Sequence, residues 1–213
     1  MKQSFLRGLR PLLLSTLLGG SIALAAPAFA ATATAGAAAP AALPAGALPG
    51  ASLYRIAANL TDQQGRPFTL AARRGHPVLV SMFYNSCQFV CPMLIDTVRM
   101  TEAGLSAQER ARLSSLLITF DPARDDVKAL AAVAAQRGLD PATWTLARTD
   151  PASVRKIAAA LDIQYRQLSD GEYNHTTVIV LLDRDGNVAG RTKKMGAVDP
   201  AFLKLVHSTL AGE

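Results

Sequence analysis

Cys87 and Cys91 are the whole cysteine content of this 213-residue chain, with three residues between them. Two thiolates at that spacing can come within bonding or chelating distance. They form a soft donor pair suited to Cu(I) and to Zn(II). The same pair could instead be a redox couple or a plain disulfide. A structural disulfide gains stability with loop length, and a bridge across three residues gains little. Chemistry therefore explains the pair better than stability does. Pro92 follows directly and disfavours α conformation at Cys91, which predicts both cysteines on a loop at the mouth of a helix. Two sulfurs rarely complete a stable metal site, and an imidazole is a suitable third donor. Three histidines exist, His76, His175 and His207. His175 lies in Tyr173-Asn174-His175-Thr176-Thr177, just before an apolar run. Alone, such a histidine is more often a hydrogen-bonded structural residue, so its case depends on what the fold brings beside it.

The elements that must position these residues read as alternating strands and helices. Residues 52–60 and 68–71 predict a β-hairpin, turned at Gln64-Gly65. Val78 to Tyr84 is apolar without alternation, which fits a central strand buried on both faces. The cysteine pair follows it and precedes a helix predicted from Pro92 to about Ala103. Leu116 to Phe120 is a second buried strand, ended by Asp121-Pro122. Residues 125–137 carry Val127, Leu130, Val133 and Ala134 at helical spacing, and Gly138 stops them. A short strand at 143–147 and a helix at 153–161 follow. Thr176 to Leu182 is a third apolar strand, turned through Asp183 to Gly186 into residues 187–192. Asp199-Pro200 opens a last helix to about Leu210. This order predicts an α/β class domain, three-layered, with a parallel centre, an antiparallel edge and an N-terminal β-hairpin. Open α/β sheets do chemistry beyond the carboxyl ends of their strands. The helix N-terminus there stabilises thiolate, so a lowered pKa is expected for one or both cysteines. His76 falls at the opposite end of its strand and His207 on the final helix, and both read as structural.

The chain begins with a targeting pattern. Lys2, Arg7 and Arg10 precede an apolar stretch from Leu12 to Leu24, and Ala28-Phe29-Ala30 is a small-x-small cleavage site. Residues 1–30 are read as a secretory signal peptide cut after Ala30, with an uncleaved membrane anchor as the alternative. Residues 31–50, rich in Ala and Pro and without charge, are read as a disordered linker. The domain spans 51–213. Setting aside the three basic residues of the signal lowers the net charge from +6 to +3. The remaining charges are interleaved in sign, with no basic tract among stacking aromatics, so nucleic-acid binding has no support. The compartment implied is oxidising, the periplasm for a bacterial chain, where a close cysteine pair forms a disulfide unless it is reduced or holds a metal.

The βαβ-then-ββα order resembles thioredoxin. In that fold the loop before the third strand faces the cysteines and usually carries a cis-proline. Here His175 stands in that loop, opposite two thiols. Three blocks then resemble the Sco/SenC family of copper-handling proteins: Phe83 to Pro92, Phe120 to Asp125, and His175-Thr176-Thr177 followed by Val178 to Asp183 and Gly186. The resemblance covers about residues 51–210. It implies one copper ion, Cu(I) or Cu(II), held by Cys87, Cys91 and His175, with Cys87 and Cys91 as a redox pair. It implies help in assembling the binuclear copper site of cytochrome c oxidase or a related copper enzyme. The expected partners are that copper-site subunit and a periplasmic copper donor or thiol reductant, with the chain working as a monomer. Asp121 matches a family aspartate near the site, in a secondary role. Gln88 stands where the family often has proline.

Two other activities fit the fold. One is thiol–disulfide exchange without copper delivery, through a mixed disulfide. The other is peroxidase chemistry of the peroxiredoxin type, but Tyr84 and Val80 occupy the positions of its required threonine and proline. Met93, Met100 and Met195 read as packing residues. Asp183 and Asp185 read as hairpin-turn residues rather than calcium ligands.

Overall fold

A computed structural model describes residues 47–87 and 90–212. The signal-peptide reading of residues 1–30, and the linker reading as far as 46, lie outside the described residues. The first hairpin is β1 (Asn59–Asp62) with β2 (Pro67–Thr69), turned where Asp62 Oδ1 accepts the N–H groups of Gln64 and Arg66. The predicted first strand is shorter than expected, because Leu53–Arg55 forms a 3-10 turn capped by Ser52, whose hydroxyl accepts the Tyr54 N–H.

The central strand β3 (Val78–Phe83) is buried along its whole length. It leads toward α1 (Val90–Ala103) and the short α2 (Ala107–Arg110). Then follow β4 (Ser114–Thr119), α3 (Val127–Gln136), β5 (Trp144–Arg148) and α4 (Pro151–Leu161). A small hairpin, β6 (Tyr165–Gln167) with β7 (Tyr173–His175), precedes β8 (Ile179–Leu182), β9 (Val188–Thr192) and α5 (Pro200–Ala211). Asp126, Asp150 and Asp199 each cap a helix by accepting first-turn N–H groups, which is why α3, α4 and α5 start where they do.

The main sheet has seven strands in the order β2-β1-β5-β4-β3-β8-β9. β3, β4 and β5 are parallel, and β1, β2, β8 and β9 add antiparallel margins. This is the parallel centre with antiparallel edge strands expected from the sequence, in the thioredoxin-like order. The β6–β7 pair forms a separate two-stranded sheet, an element the apolar pattern did not signal.

The turn between β8 and β9 seats the N-terminal 3-10 turn. Gly186 has φ +83°, and a Cβ on it would lie 2.5 Å from Tyr54 Cδ2 and 2.8 Å from Ser52 Oγ. Gly186→Ala therefore combines left-handed backbone strain with a clash against a buried ring. We expect it to cost about 2 kcal/mol or more, read as a lower urea midpoint at unchanged m-value.

Candidate metal centre

Cys87 lies in the turn that leaves β3, and Cys91 in the first turn of α1. The sequence predicted Cys91 on a loop, but the helix begins one residue earlier, at Val90. Pro92 itself is tolerated there because the first helical turn makes no use of the missing proline N–H, and its steric bias on Cys91 does not delay the helix start. The Cys91 N–H instead donates to Cys87 Sγ at 3.4 Å. The buried carboxylate of Asp125 holds the approach to Cys87, accepting the Asn85 N–H at 3.0 Å.

His175 ends β7, and the ring reaches the cysteines across the carboxyl end of the sheet. Among the described residues, Cys87, Cys91 and His175 form the one group of His, Cys and acidic side chains placed to hold a metal. One donor atom from each lies within 4.8 Å of the other two. His175 Nδ1 is 3.3 Å from the Thr176 carbonyl oxygen. A carbonyl only accepts, so this contact places the proton on Nδ1 and leaves the Nε2 lone pair for a metal. The ring packs against Phe120 at 4.9 Å and edge-on to Tyr84 at 5.8 Å between centroids. Tyr165 and Tyr173 extend this aromatic cluster, both within about 5.3 Å of Phe120. Stacking, not sheet pairing, seats the hairpin that carries the imidazole.

Burial governs the protonation of the site. It pushes the Cys91 thiol well above the ordinary thiol range. This corrects the expectation of a helix-lowered pKa at that position: Cys91 is only 4% exposed, and desolvating a thiolate costs more than the helix terminus returns. Burial also lowers the pKa of His175, so the ring is neutral and ready to donate a lone pair near pH 7. Cys87 is half-buried. Both cysteines line a cavity of about 250 Å³ with Tyr84, Asn85, Pro92 and Ile95, so a partner's group can approach the sulfurs there.

The remaining candidates fall elsewhere. His76 is exposed in the turn before β3, and His207 pairs with Glu109. Met195 packs against the core, and Met93 is exposed. Asp183 accepts the N–H groups of Asp185 and Asn187, and Asp185 pairs with Arg74, as a hairpin turn requires. Asp121 is buried and receives Arg124 Nε. Tyr84 donates its hydroxyl to Glu172 at 2.8 Å. Sequence reasoning missed Phe120, Tyr165 and Tyr173 as the seat of His175. Their aromatic character was the available signal.

The sequence model of the family described as SCO1/SenC matches residues 50–208. A protein of Stutzerimonas stutzeri with a provisional copper-binding designation is 24% identical over 140 residues, covering 63% of this chain and 66% of that protein. The mitochondrial protein SCO2 of Saccharomyces cerevisiae is 31% identical over 67 residues, 32% of this chain and 22% of that one. The chain thus matches less than two thirds of the length of these curated relatives. Among solved structures, copper-bound ScoI of Bradyrhizobium japonicum superposes with a TM-score of 0.58 at 23% identity, covering 71% of this chain and 94% of that one. Yeast Sco1 gives a TM-score of 0.62 at 18% identity, with 73% and 96% covered. At these identities the structural likeness establishes the fold.

Proposed function

The chain belongs to the SCO1/SenC family, and from that premise we propose that it is a metallochaperone that binds one copper ion through Cys87, Cys91 and His175. The observation that carries this reading is the meeting of two sulfurs and an imidazole nitrogen within 4.8 Å. Two thiolates suit Cu(I), and the added imidazole extends the set to Cu(II). Three donors leave a coordination position open, which a receiving protein's ligand can enter before Cys or His lets go. A closed four-ligand site would retain the metal instead. The cargo is passed on by such ligand exchange at the cavity beside the sulfurs. The receiver we propose is the copper-site subunit of cytochrome c oxidase or a related copper enzyme, loaded in the periplasm after export on residues 1–30. An inner-membrane anchor in place of cleavage is the alternative; no helix among the described residues is long and apolar enough to cross a membrane.

A second reading is favoured by the unequal exposure of the two thiols. Cys87 is the accessible sulfur and Cys91 the buried one. In reducing a partner's disulfide, Cys87 thiolate would attack one sulfur, break the S–S bond and release the other as thiolate. Cys91, on losing its proton, would then attack Cys87 and free the second partner thiol, leaving a Cys87–Cys91 disulfide. Two electrons pass to the partner. The two activities are compatible on one site.

The test is a titration of the reduced, exported chain with Cu(I) and Cu(II), followed spectroscopically beside each single-site variant. Cu(I) binding weakened on removing either cysteine, and Cu(II) binding weakened on removing any of the three residues, supports the reading, and undiminished binding overturns it. A pH series adds a second check. Because burial keeps Cys91 protonated near neutrality, copper must expel its proton, while His175 is already neutral. Apparent Cu(I) affinity should therefore rise with pH, by at least about tenfold per unit between pH 6 and 8. An affinity flat across that range would remove Cys91 from the ligand set.

A further inference from the structure

His175 reaches the thiols on a hairpin that the main sheet does not hold. β6 and β7 pair with each other in a sheet of their own. Besides its aromatic seat, the hairpin has a polar tether. Arg124 donates Nε to the buried carboxylate of Asp121 and Nη2 to the Gly171 carbonyl at 2.6 Å. Its guanidinium carbon lies 5.8 Å from the Tyr173 ring centroid, and Nη1 lies 4.0 Å from Glu172. Gly171, Glu172 and Tyr173 are the turn and first strand residue leading to His175. Asp121 is itself anchored, because its N–H donates to Thr119 Oγ1 at the end of β4. The same hydroxyl donates to Asp125, the carboxylate that receives the Asn85 N–H on the cysteine side. Residues 119–125 thus reach both halves of the site from one fixed strand end.

We propose that Arg124 is a positioning residue, which ties the His175 hairpin to Asp121 and so sets the distance between imidazole and sulfurs. The proposal rests on the copper-site reading. Pairing the buried Asp121 carboxylate accounts for Nε alone and leaves the second donor unexplained, since Nη2 donates to the Gly171 carbonyl of the hairpin. The planar fork does explain it, because two donors of one guanidinium reach Asp121 and Gly171 together. A lysine ammonium, a single point of charge, does not bridge both in the same way.

The test compares Arg124→Ala and Arg124→Lys with the parent chain and with His175→Ala. Cu(II) affinity is measured by competition, and the thiolate-to-Cu(II) absorption band is recorded. Residues that orient metal ligands are worth about 10- to 100-fold in affinity. We expect a loss of that size in Arg124→Ala, a shifted band, and no restoration by lysine. Combined with His175→Ala, the alanine variant should cost nothing further, because its effect passes through the imidazole. Unchanged affinity, or a fully additive double variant, overturns the proposal. If the parent chain binds no copper, the functional reading fails separately. Amide exchange in the metal-free protein then decides the positioning role. The Leu168, Gly171 and Thr176 amides, bonded within or beside the hairpin, should exchange about tenfold faster in Arg124→Ala while those of β3 and β4 do not change. Equal exchange in variant and parent overturns it.

Discussion

Cys91→Ser is expected to lower Cu(I) affinity by two to three orders of magnitude. The variant replaces a soft sulfur by a hard oxygen, which Cu(I) binds poorly. Structural metal sites of four ligands are worth about 10–16 kcal/mol in total, or about 2.5–4 kcal/mol for each ligand. At about 1.4 kcal/mol per decade, that is two to three decades. The position also decides how cleanly the effect is read. Cys91 is buried in the first turn of α1, so a hydroxyl there loses solvation as well as metal, and Cys91→Ala serves as the apolar control. Cys87→Ser, at the more exposed sulfur, should lose copper equally with less effect on stability. Competition against a chromogenic Cu(I) chelator measures all three variants. Retention of affinity within threefold by Cys91→Ser would mean that the buried thiol does not coordinate.

The sheet was legible because its signals were local. Val78 to Phe83 is apolar except for Ser81, and it is β3, buried at every position. Asp199-Pro200 marks the start of the last helix in the sequence, and Asp199 caps it, as Asp126 and Asp150 cap α3 and α4. Ser106 and Glu109 likewise form the capping box of α2, though four helical residues are too few for an apolar period. The β6–β7 hairpin was not legible. Its strands have three residues each, are fully buried at no position, and include Arg166, Gln167 and Asn174, so neither alternation nor an apolar run marks them. What holds them is contact with Tyr84 and Phe120, residues distant in sequence. The meeting of His175 with the cysteines was legible only through the resemblance in strand order. The Cys91 thiol was misjudged for a related reason. A helix terminus is visible in sequence, whereas the burial that outweighs it comes from tertiary packing.

His175→Ala is the variant that separates copper delivery from thiol exchange. Removing the ring leaves two sulfurs, which still attract Cu(I) but make a poor site for Cu(II). Cu(II) affinity should fall by two to three orders of magnitude, by the same per-ligand estimate. Thiol–disulfide exchange should stay within about twofold, because the neutral ring carries its one proton on Nδ1, which faces the Thr176 carbonyl, and so has no second N–H to give a thiolate. The fold should survive, since Phe120 keeps its contacts with Tyr84, Tyr165 and Tyr173. Both properties can be read on one preparation, by Cu(II) competition and by the rate of reduction of a model disulfide. The deciding measurement is made in cells. A delivery protein that lacks its imidazole should fail to mature the copper enzyme even when its thiols are intact. If maturation proceeds normally with His175→Ala, copper transfer through this site is not the task. The pair Cys87 and Cys91 would then act on a partner's disulfide, and the histidine would be a remnant of packing between Phe120 and Tyr84.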